Sequence, residues 1–168
     1  ARTARVGVVG LGYVGLPLAV EFARAGFTTV GIDVDQRKVD TIGRGESYIQ
    51  DVPTADVARF QRDGLLAATT DAAVIRTLDT VNICVPTPLT PQREPDMSYV
   101  VNTVQQIRAR LRPGQLVVLE STTYPGTTDE LVRQILEQSG LRCGHDFFLA
   151  FSPEREDPGN GKFNTATI

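Results

Sequence analysis

Short apolar runs alternate with amphipathic stretches along most of this chain. A valine-rich run over Ala4–Val9 reads as a strand. Leu16, Ala19, Val20 and Ala23 then recur at helical spacing, predicting a helix over about Val14–Ala25 with one buried face and a stop at Gly26. A second strand follows from Thr28 and ends at Asp33, and Asp35-Gln36-Arg37-Lys38-Val39-Asp40 opens a helix broken by Gly43 and Gly45. The region Asp51–Gly64 predicts a polar surface helix after Pro53. Leu65–Thr69 predicts the third strand, with Thr70 or Asp71 capping a helix to Arg76. Thr80–Val85 is a near-continuous apolar run, as in a parallel strand covered on both sides. After the proline-rich loop Leu89–Pro95, Asp96 or Ser98 caps a helix to about Leu111, with Tyr99, Val100, Thr103, Val104 and Ile107 on its packed side. Pro113-Gly114 closes it, and strand Leu116–Leu119, helix Thr127–Ser139 and strand Phe147–Phe151 complete the pattern.

Strands that alternate with helices and read as buried runs imply an α/β fold, a doubly wound parallel sheet of about six strands with helices on both faces. In such a fold ligands collect beyond the carboxyl ends of the strands. Five clusters follow apolar strands and so converge there: Gly10–Gly15, Asp33, Pro86-Thr87-Pro88, Glu120-Ser121-Thr122-Thr123 and Ser152-Pro153-Glu154-Arg155-Glu156.

The first cluster carries the most chemistry. Gly10, Gly12 and Gly15 form G-x-G-x-x-G between a strand and a helix. Gly10 is expected to make the tight turn, Gly12 to admit a pyrophosphate, and Gly15 to let the helix pack close to the sheet. The pyrophosphate would sit on free N–H groups at the helix start. Asp33, ending the next strand, would accept from both hydroxyls of an adenosine ribose and repel a 2′-phosphate, which favours NAD over NADP.

At the other strand ends the residues leave alternatives open. Thr87 is either a contact to the nicotinamide-side ribose or diphosphate, or a turn residue between two prolines. Thr122 either holds a water or substrate hydroxyl, or caps a helix. Glu154 would do acid–base work if burial raised its pKa, and the Arg155 fork suits phosphate oxygens. Cys84 reads as a small core hydrophobe, and Cys143 and His145 as structural or surface residues.

Composition narrows the picture. The 168 residues are 41% hydrophobic and 22% charged, enough for one domain with a core. A net charge of −3 without long like-charged runs disfavours nucleic acid as a partner. No apolar run approaches the ~20 residues of a membrane span. The first strand leaves no room for a signal peptide, and the Ala1 start is read as a processing site or a boundary of the sequence. Two cysteines and one histidine offer no disulfide framework and no metal site, and a cytoplasmic location is expected.

Val8-Val9-Gly10-Leu11-Gly12-Tyr13-Val14-Gly15-Leu16-Pro17, Gly31-Ile32-Asp33-Val34-Asp35, Val85-Pro86-Thr87-Pro88, Glu120–Thr128 and Ser152-Pro153-Glu154-Arg155 resemble, in that order, segments of the nucleotide-sugar 6-dehydrogenases. That family includes the UDP-glucose, GDP-mannose and UDP-N-acetylhexosamine dehydrogenases. The resemblance implies oxidation of the C6 alcohol of a nucleotide-linked sugar to the carboxylate, with two NAD⁺ and a cysteine-bound intermediate. It implies a cofactor set of Gly10, Leu11, Gly12, Tyr13, Val14, Gly15, Asp33, Val34, Arg37, Val85, Pro86, Thr87, Ser121, Thr122 and Glu154, with Thr122 and Glu154 catalytic. Pro153-Glu154-Arg155-Glu156-Asp157-Pro158 looks most like the UDP-N-acetylglucosamine branch and makes Arg155 and Glu156 candidate sugar-nucleotide contacts. The family's catalytic cysteine, central helix and C-terminal domain have no match here, so the chain reads as one NAD-binding domain, inactive alone. A homodimer is expected of the complete enzyme, and a monomer or weak dimer of this chain. The alternatives are a stand-alone NAD-binding module, a UDP-glucose 6-dehydrogenase or another NAD-dependent dehydrogenase.

Overall fold

In the computed structural model, which describes residues 2–153, six parallel strands form one sheet in the order β3-β2-β1-β4-β5-β6. They are β1 Arg5–Val9, β2 Thr28–Ile32, β3 Leu66–Thr69, β4 Thr80–Ile83, β5 Leu116–Leu119 and β6 Phe148–Phe151. The helices are α1 Gly15–Arg24, α2 Gln36–Gly43, α3 Thr54–Arg62, α4 Ser98–Arg108 and α5 Arg133–Glu137. This is the expected doubly wound sheet. The chain runs outward from β1 to β3, then returns to the other side of β1 with β4 and runs outward again. At that reversal the connections leave adjacent strand ends in opposite directions, which opens a crevice.

Alternation along the strands feeds two apolar layers. Val6 and Val8 of β1 pack with Leu16, Ala19, Val20 and Ala23 of α1, Ile42 of α2 and Val57 and Phe60 of α3. On the opposite face Val30, Ile32, Val81, Ile83, Val117 and Leu119 pack with Val100, Val104 and Ile107 of α4 and Leu136 of α5. The 3.6-residue spacing of α1 is thus satisfied on one face of the sheet and that of α4 on the other.

Four expectations are corrected. The helix expected over 51–64 is shorter and is not purely a surface element, because α3 buries Val57 and Phe60. Two arginines lie over the Phe60 ring, the Arg59 guanidinium of α3 at 4.4 Å and that of Arg24 from α1 at 5.8 Å from its centroid. The helix expected up to Arg76 is a 3₁₀ segment, Ala72–Thr77, capped by Asp71, whose Oδ1 accepts from the Ala73 N–H at 2.8 Å. Tyr99 lies off the packed face of α4 and is 48% exposed. The helix expected from Thr127 starts with π-type turns, Thr127–Val132, before becoming α-helical.

The amino edge of the sheet is tied by one buried amide. Gln115 is fully buried, and its Nε2 donates to the carbonyls of Ile75 and Leu78, both at 2.8 Å. Its Oε1 accepts from the Arg112 N–H at 2.8 Å. The Arg112 guanidinium in turn donates to the Leu78 carbonyl and the Asp79 carboxylate.

Candidate functional site

At the carboxyl edge, a cleft of about 1080 Å³ opens over the reversal between β1 and β4. Most of the expected site residues meet in its wall. The first loop contributes Gly10, Gly12, Tyr13 and Val14, the end of β2 Asp33 and Val34, the end of β4 Val85, Pro86 and Thr87, and the end of β5 Ser121 and Thr122. Glu154, Arg155 and Glu156 lie outside the described residues.

The three glycines do different work. Gly10 has φ +90°, and a Cβ there would lie 2.7 Å from the Cys84 carbonyl oxygen. A Cβ on Gly15 would run into the carbonyl of Gly10 itself. The close approach expected between helix and sheet is therefore between the first residue of α1 and its own preceding turn. Around Gly12 nothing among the described residues lies within 4 Å of a Cβ position, so none of them requires glycine there. The N–H groups of Gly12, Tyr13 and Val14 have no acceptor among the described residues, and Val14 caps α1 without a side-chain bond. An open cradle of free donors at a helix start fits a pyrophosphate.

Asp33 is only 8% exposed and organises the adjacent turn. Its Oδ2 accepts from the Leu11 N–H at 2.7 Å and from Lys38 Nζ at 3.0 Å, and its Oδ1 from the Asp35 N–H at 2.9 Å. With about four lone-pair directions on a carboxylate, one remains for a ribose hydroxyl. The Leu11 carbonyl accepts from the Tyr48 hydroxyl at 2.7 Å, so the loop is held from both sides. Burial, with Asp33 and Asp35 nearby, pushes the Tyr48 phenol well above its ordinary pKa.

Besides Gly15, which is buried at the start of α1 and outside the cleft wall, two expected contacts are placed differently. Leu11 is fully buried and outside the cleft wall, with both its backbone groups committed to Asp33 and Tyr48. Arg37 is 90% exposed at its side chain and pairs with Asp35 through Nε at 3.0 Å and a terminal nitrogen at 2.8 Å. The helical turn points residue 37 away from the cleft and brings residue 38 to it. Lys38 is the cation at Asp33.

On the β4–β5 side, Ser121 Oγ donates to the Val85 carbonyl at 2.7 Å and binds the two strand ends together. Thr87 is half-buried and Thr122 exposed at the cleft. Cys84 is buried in the floor. Cys143 is part of the apolar layer beneath α5, while His145 is exposed and pairs with Asp146. Sequence reasoning missed Lys38, Tyr48 and the α4 residues Tyr99, Asn102 and Gln106 in the wall. A cation five residues after the strand-end acid was the one signal available, since Tyr48 and α4 reach the cleft only through tertiary packing. Among the described residues no group of three or more His, Cys, Asp or Glu is placed to hold a metal, and no helix is long and apolar enough to cross a membrane.

Known proteins resemble this chain in sequence and fold. Residues 4–168 match the model of the UDP-glucose/GDP-mannose dehydrogenase family, NAD binding domain. The chain is 38% identical over 165 residues to a UDP-N-acetyl-D-glucosamine 6-dehydrogenase of Pseudomonas aeruginosa, a match covering 98% of this chain and 38% of that protein. The solved NDP-N-acetyl-D-galactosaminuronic acid dehydrogenase of Methanosarcina mazei Go1 superposes with a TM-score of 0.88 at 35% identity, over 95% of this chain and 36% of that one. A UDP-D-ManNAc dehydrogenase of Pyrococcus horikoshii gives 0.87 at 35% identity, over 92% and 37%. The chain thus spans less than two-fifths of the length of these relatives. Cleft, open glycine cradle, strand-end acid and sequence match agree: the chain belongs to the UDP-glucose/GDP-mannose dehydrogenase family and is its NAD-binding domain.

Proposed function

We propose that the protein carrying this domain oxidises the C6 alcohol of a UDP-linked N-acetylhexosamine to the uronic acid. The observation that carries the reading is the cleft wall in which Gly12, Asp33, Thr87 and Thr122 converge. The names of the relatives supply the substrate class. NAD supplies two successive two-electron oxidations, and water supplies the second carboxylate oxygen.

In this reading the residues of this chain bind and orient. The free N–H groups of Gly12, Tyr13 and Val14 hold the pyrophosphate, and Asp33 the adenosine ribose. Pro86 and Thr87 border the nicotinamide side. The Thr122 hydroxyl, exposed at the end of β5, positions a water or the substrate hydroxyl, and Glu154 moves protons at the hydrolytic stage. Arg155 and Glu156, outside the described residues, are candidate contacts of the sugar nucleotide. The aldehyde is captured as a thiohemiacetal by a cysteine outside this chain, which keeps it from escaping, and its oxidation leaves a thioester that water cleaves to the carboxylate and the free thiol. The complete protein acts as a homodimer in the cytoplasm, and this chain alone is a monomer or weak dimer that binds NAD without turnover.

Turnover by the longer natural polypeptide that contains this chain tests the proposal. UDP-N-acetylglucosamine or UDP-N-acetylmannosamine should yield two NADH per sugar, read at 340 nm, against little from UDP-glucose or GDP-mannose. Preference for UDP-glucose would shift the substrate class, and the absence of turnover with any of the four would overturn it.

A further inference from the structure

The carboxyl edge carries one continuous row across all six strands. One residue past the last paired rungs stand Thr70, Asp33, Gly10, Cys84, Glu120 and Ser152, in sheet order. The ladder continues through this row. Asp33 N–H donates to Thr69, Gly10 to Ile32, Cys84 to Val9, Glu120 to Ile83 and Ser152 to Leu119, at 3.2, 2.8, 2.8, 3.0 and 2.9 Å. Among the described residues, Asp33 and Glu120 are the two buried acidic groups, each 8% exposed. They are the second and fifth members of the row, equidistant from the reversal between Gly10 and Cys84.

A doubly wound sheet is two mononucleotide-binding halves set about that reversal. The donor cradle lies at the centre and Asp33 in the half that takes adenosine. The other nucleoside of the dinucleotide then lies over β4 and β5, where Glu120 lines the cleft. The nicotinamide ring carries a positive charge only when oxidised, and a carboxylate in a partly desolvated cleft discriminates between charge states far more than one in water. We propose that Glu120 is the nicotinamide-side counterpart of Asp33, its carboxylate facing the ring so that the site favours the oxidised cofactor. Asp33 sets which ribose is accepted, and Glu120 sets which redox form is held. The inference rests on the assignment of this cleft to NAD.

The test is titration of the 168-residue chain with NAD⁺ and with NADH, by calorimetry for both and by NADH fluorescence. Glu120→Gln removes the charge at nearly constant shape and should cut the preference for NAD⁺ over NADH by about tenfold, mainly by weakening NAD⁺. Glu120→Asp keeps the charge and should recover part of that preference. Asp33→Asn should weaken both forms alike, because the adenosine end is common to them. An unchanged ratio in Glu120→Gln, with both forms still bound, overturns the role of Glu120 and leaves the cofactor assignment standing. If Glu120→Gln does not fold, the unsubstituted chain still decides, because tighter binding of NADH than of NAD⁺ overturns the proposal. A chain that binds neither form overturns the cofactor assignment and this proposal with it.

Discussion

The Leu11 N–H donates to Asp33 Oδ2 at 2.7 Å, across 22 residues of sequence and inside the protein. The acid expected to face a ribose also fixes the loop expected to face the pyrophosphate, so the two halves of the adenosine site are mechanically one. Asp33→Ala should therefore do more than lose a ligand contact. A hydrogen bond to a charged acceptor is worth about 1.5–3 kcal/mol, and a loss of that size should appear in urea unfolding without NAD. A variant that binds NAD⁺ weakly but unfolds at the wild-type midpoint would show that the loop holds its shape without Asp33.

Gly12 and Gly15 separate folding from binding. At Gly12 a methyl group meets no atom of the described residues, so Gly12→Ala should change stability by less than about 1 kcal/mol. It should lower NAD⁺ affinity about tenfold or more by filling the cradle that the pyrophosphate needs. At Gly15 the methyl overlaps the Gly10 carbonyl, and Gly15→Ala should cost on the order of 3 kcal/mol or fail to fold. Thermal melts paired with calorimetric titration read both effects. Equal destabilisation by the two substitutions would contradict the distinction.

Arg37 and Lys38 are neighbours with different fates. Arg37→Ala breaks an exposed pair with Asp35, and such pairs are worth roughly 0–1 kcal/mol, so NAD⁺ affinity should stay within about twofold. Lys38→Met removes the cation on Asp33 Oδ2 and should weaken NAD⁺ about tenfold. Should Arg37→Ala give the larger loss, the cleft wall described above would be wrong at this edge.

Tyr48 gives the protein an alkaline limit. Its folded pKa lies above the unfolded value of about 10. Between the two values the unfolded chain has released the proton and the folded chain has not, so the unfolded state binds fewer protons and stability falls as pH rises above about 10. The phenolate absorbance of the native chain should show one of the four tyrosines lagging the others. In Tyr48→Phe the lagging step should vanish and the alkaline loss flatten, at a cost of about 0.5–1.5 kcal/mol at neutral pH for the lost bond to Leu11.

Gln115 supplies the control at the opposite edge. Gln115→Leu strips acceptors and donors from Ile75, Leu78 and Arg112 inside the protein, and unpaired buried groups cost about 1–3 kcal/mol. NAD⁺ affinity measured well below the melting temperature should not change. Loss of affinity in a folded Gln115→Leu chain would mean that the two edges of the sheet are coupled.

The sequence by itself determined the fold class and the floor of the site. Period-2 and period-3.6 runs, with turn glycines between them, allow few arrangements besides an alternating parallel sheet, and the strand ends then carry Gly10–Val14, Asp33, Thr87 and Thr122 to one edge. Local chemistry suffices for that, because strand, turn and helix start are adjacent in the chain. Tertiary structure decided the rest. It chose Lys38 over Arg37 by the rotation of α2, brought the Tyr48 hydroxyl onto Leu11 from 37 residues away, and turned Tyr99 toward the cleft although its spacing matches a packed face. It also set Glu120 in the same row as Asp33, through three strand pairings that no local pattern encodes. Periodicity reports which side of an element is apolar, but only the packed sheet decides what stands beside it.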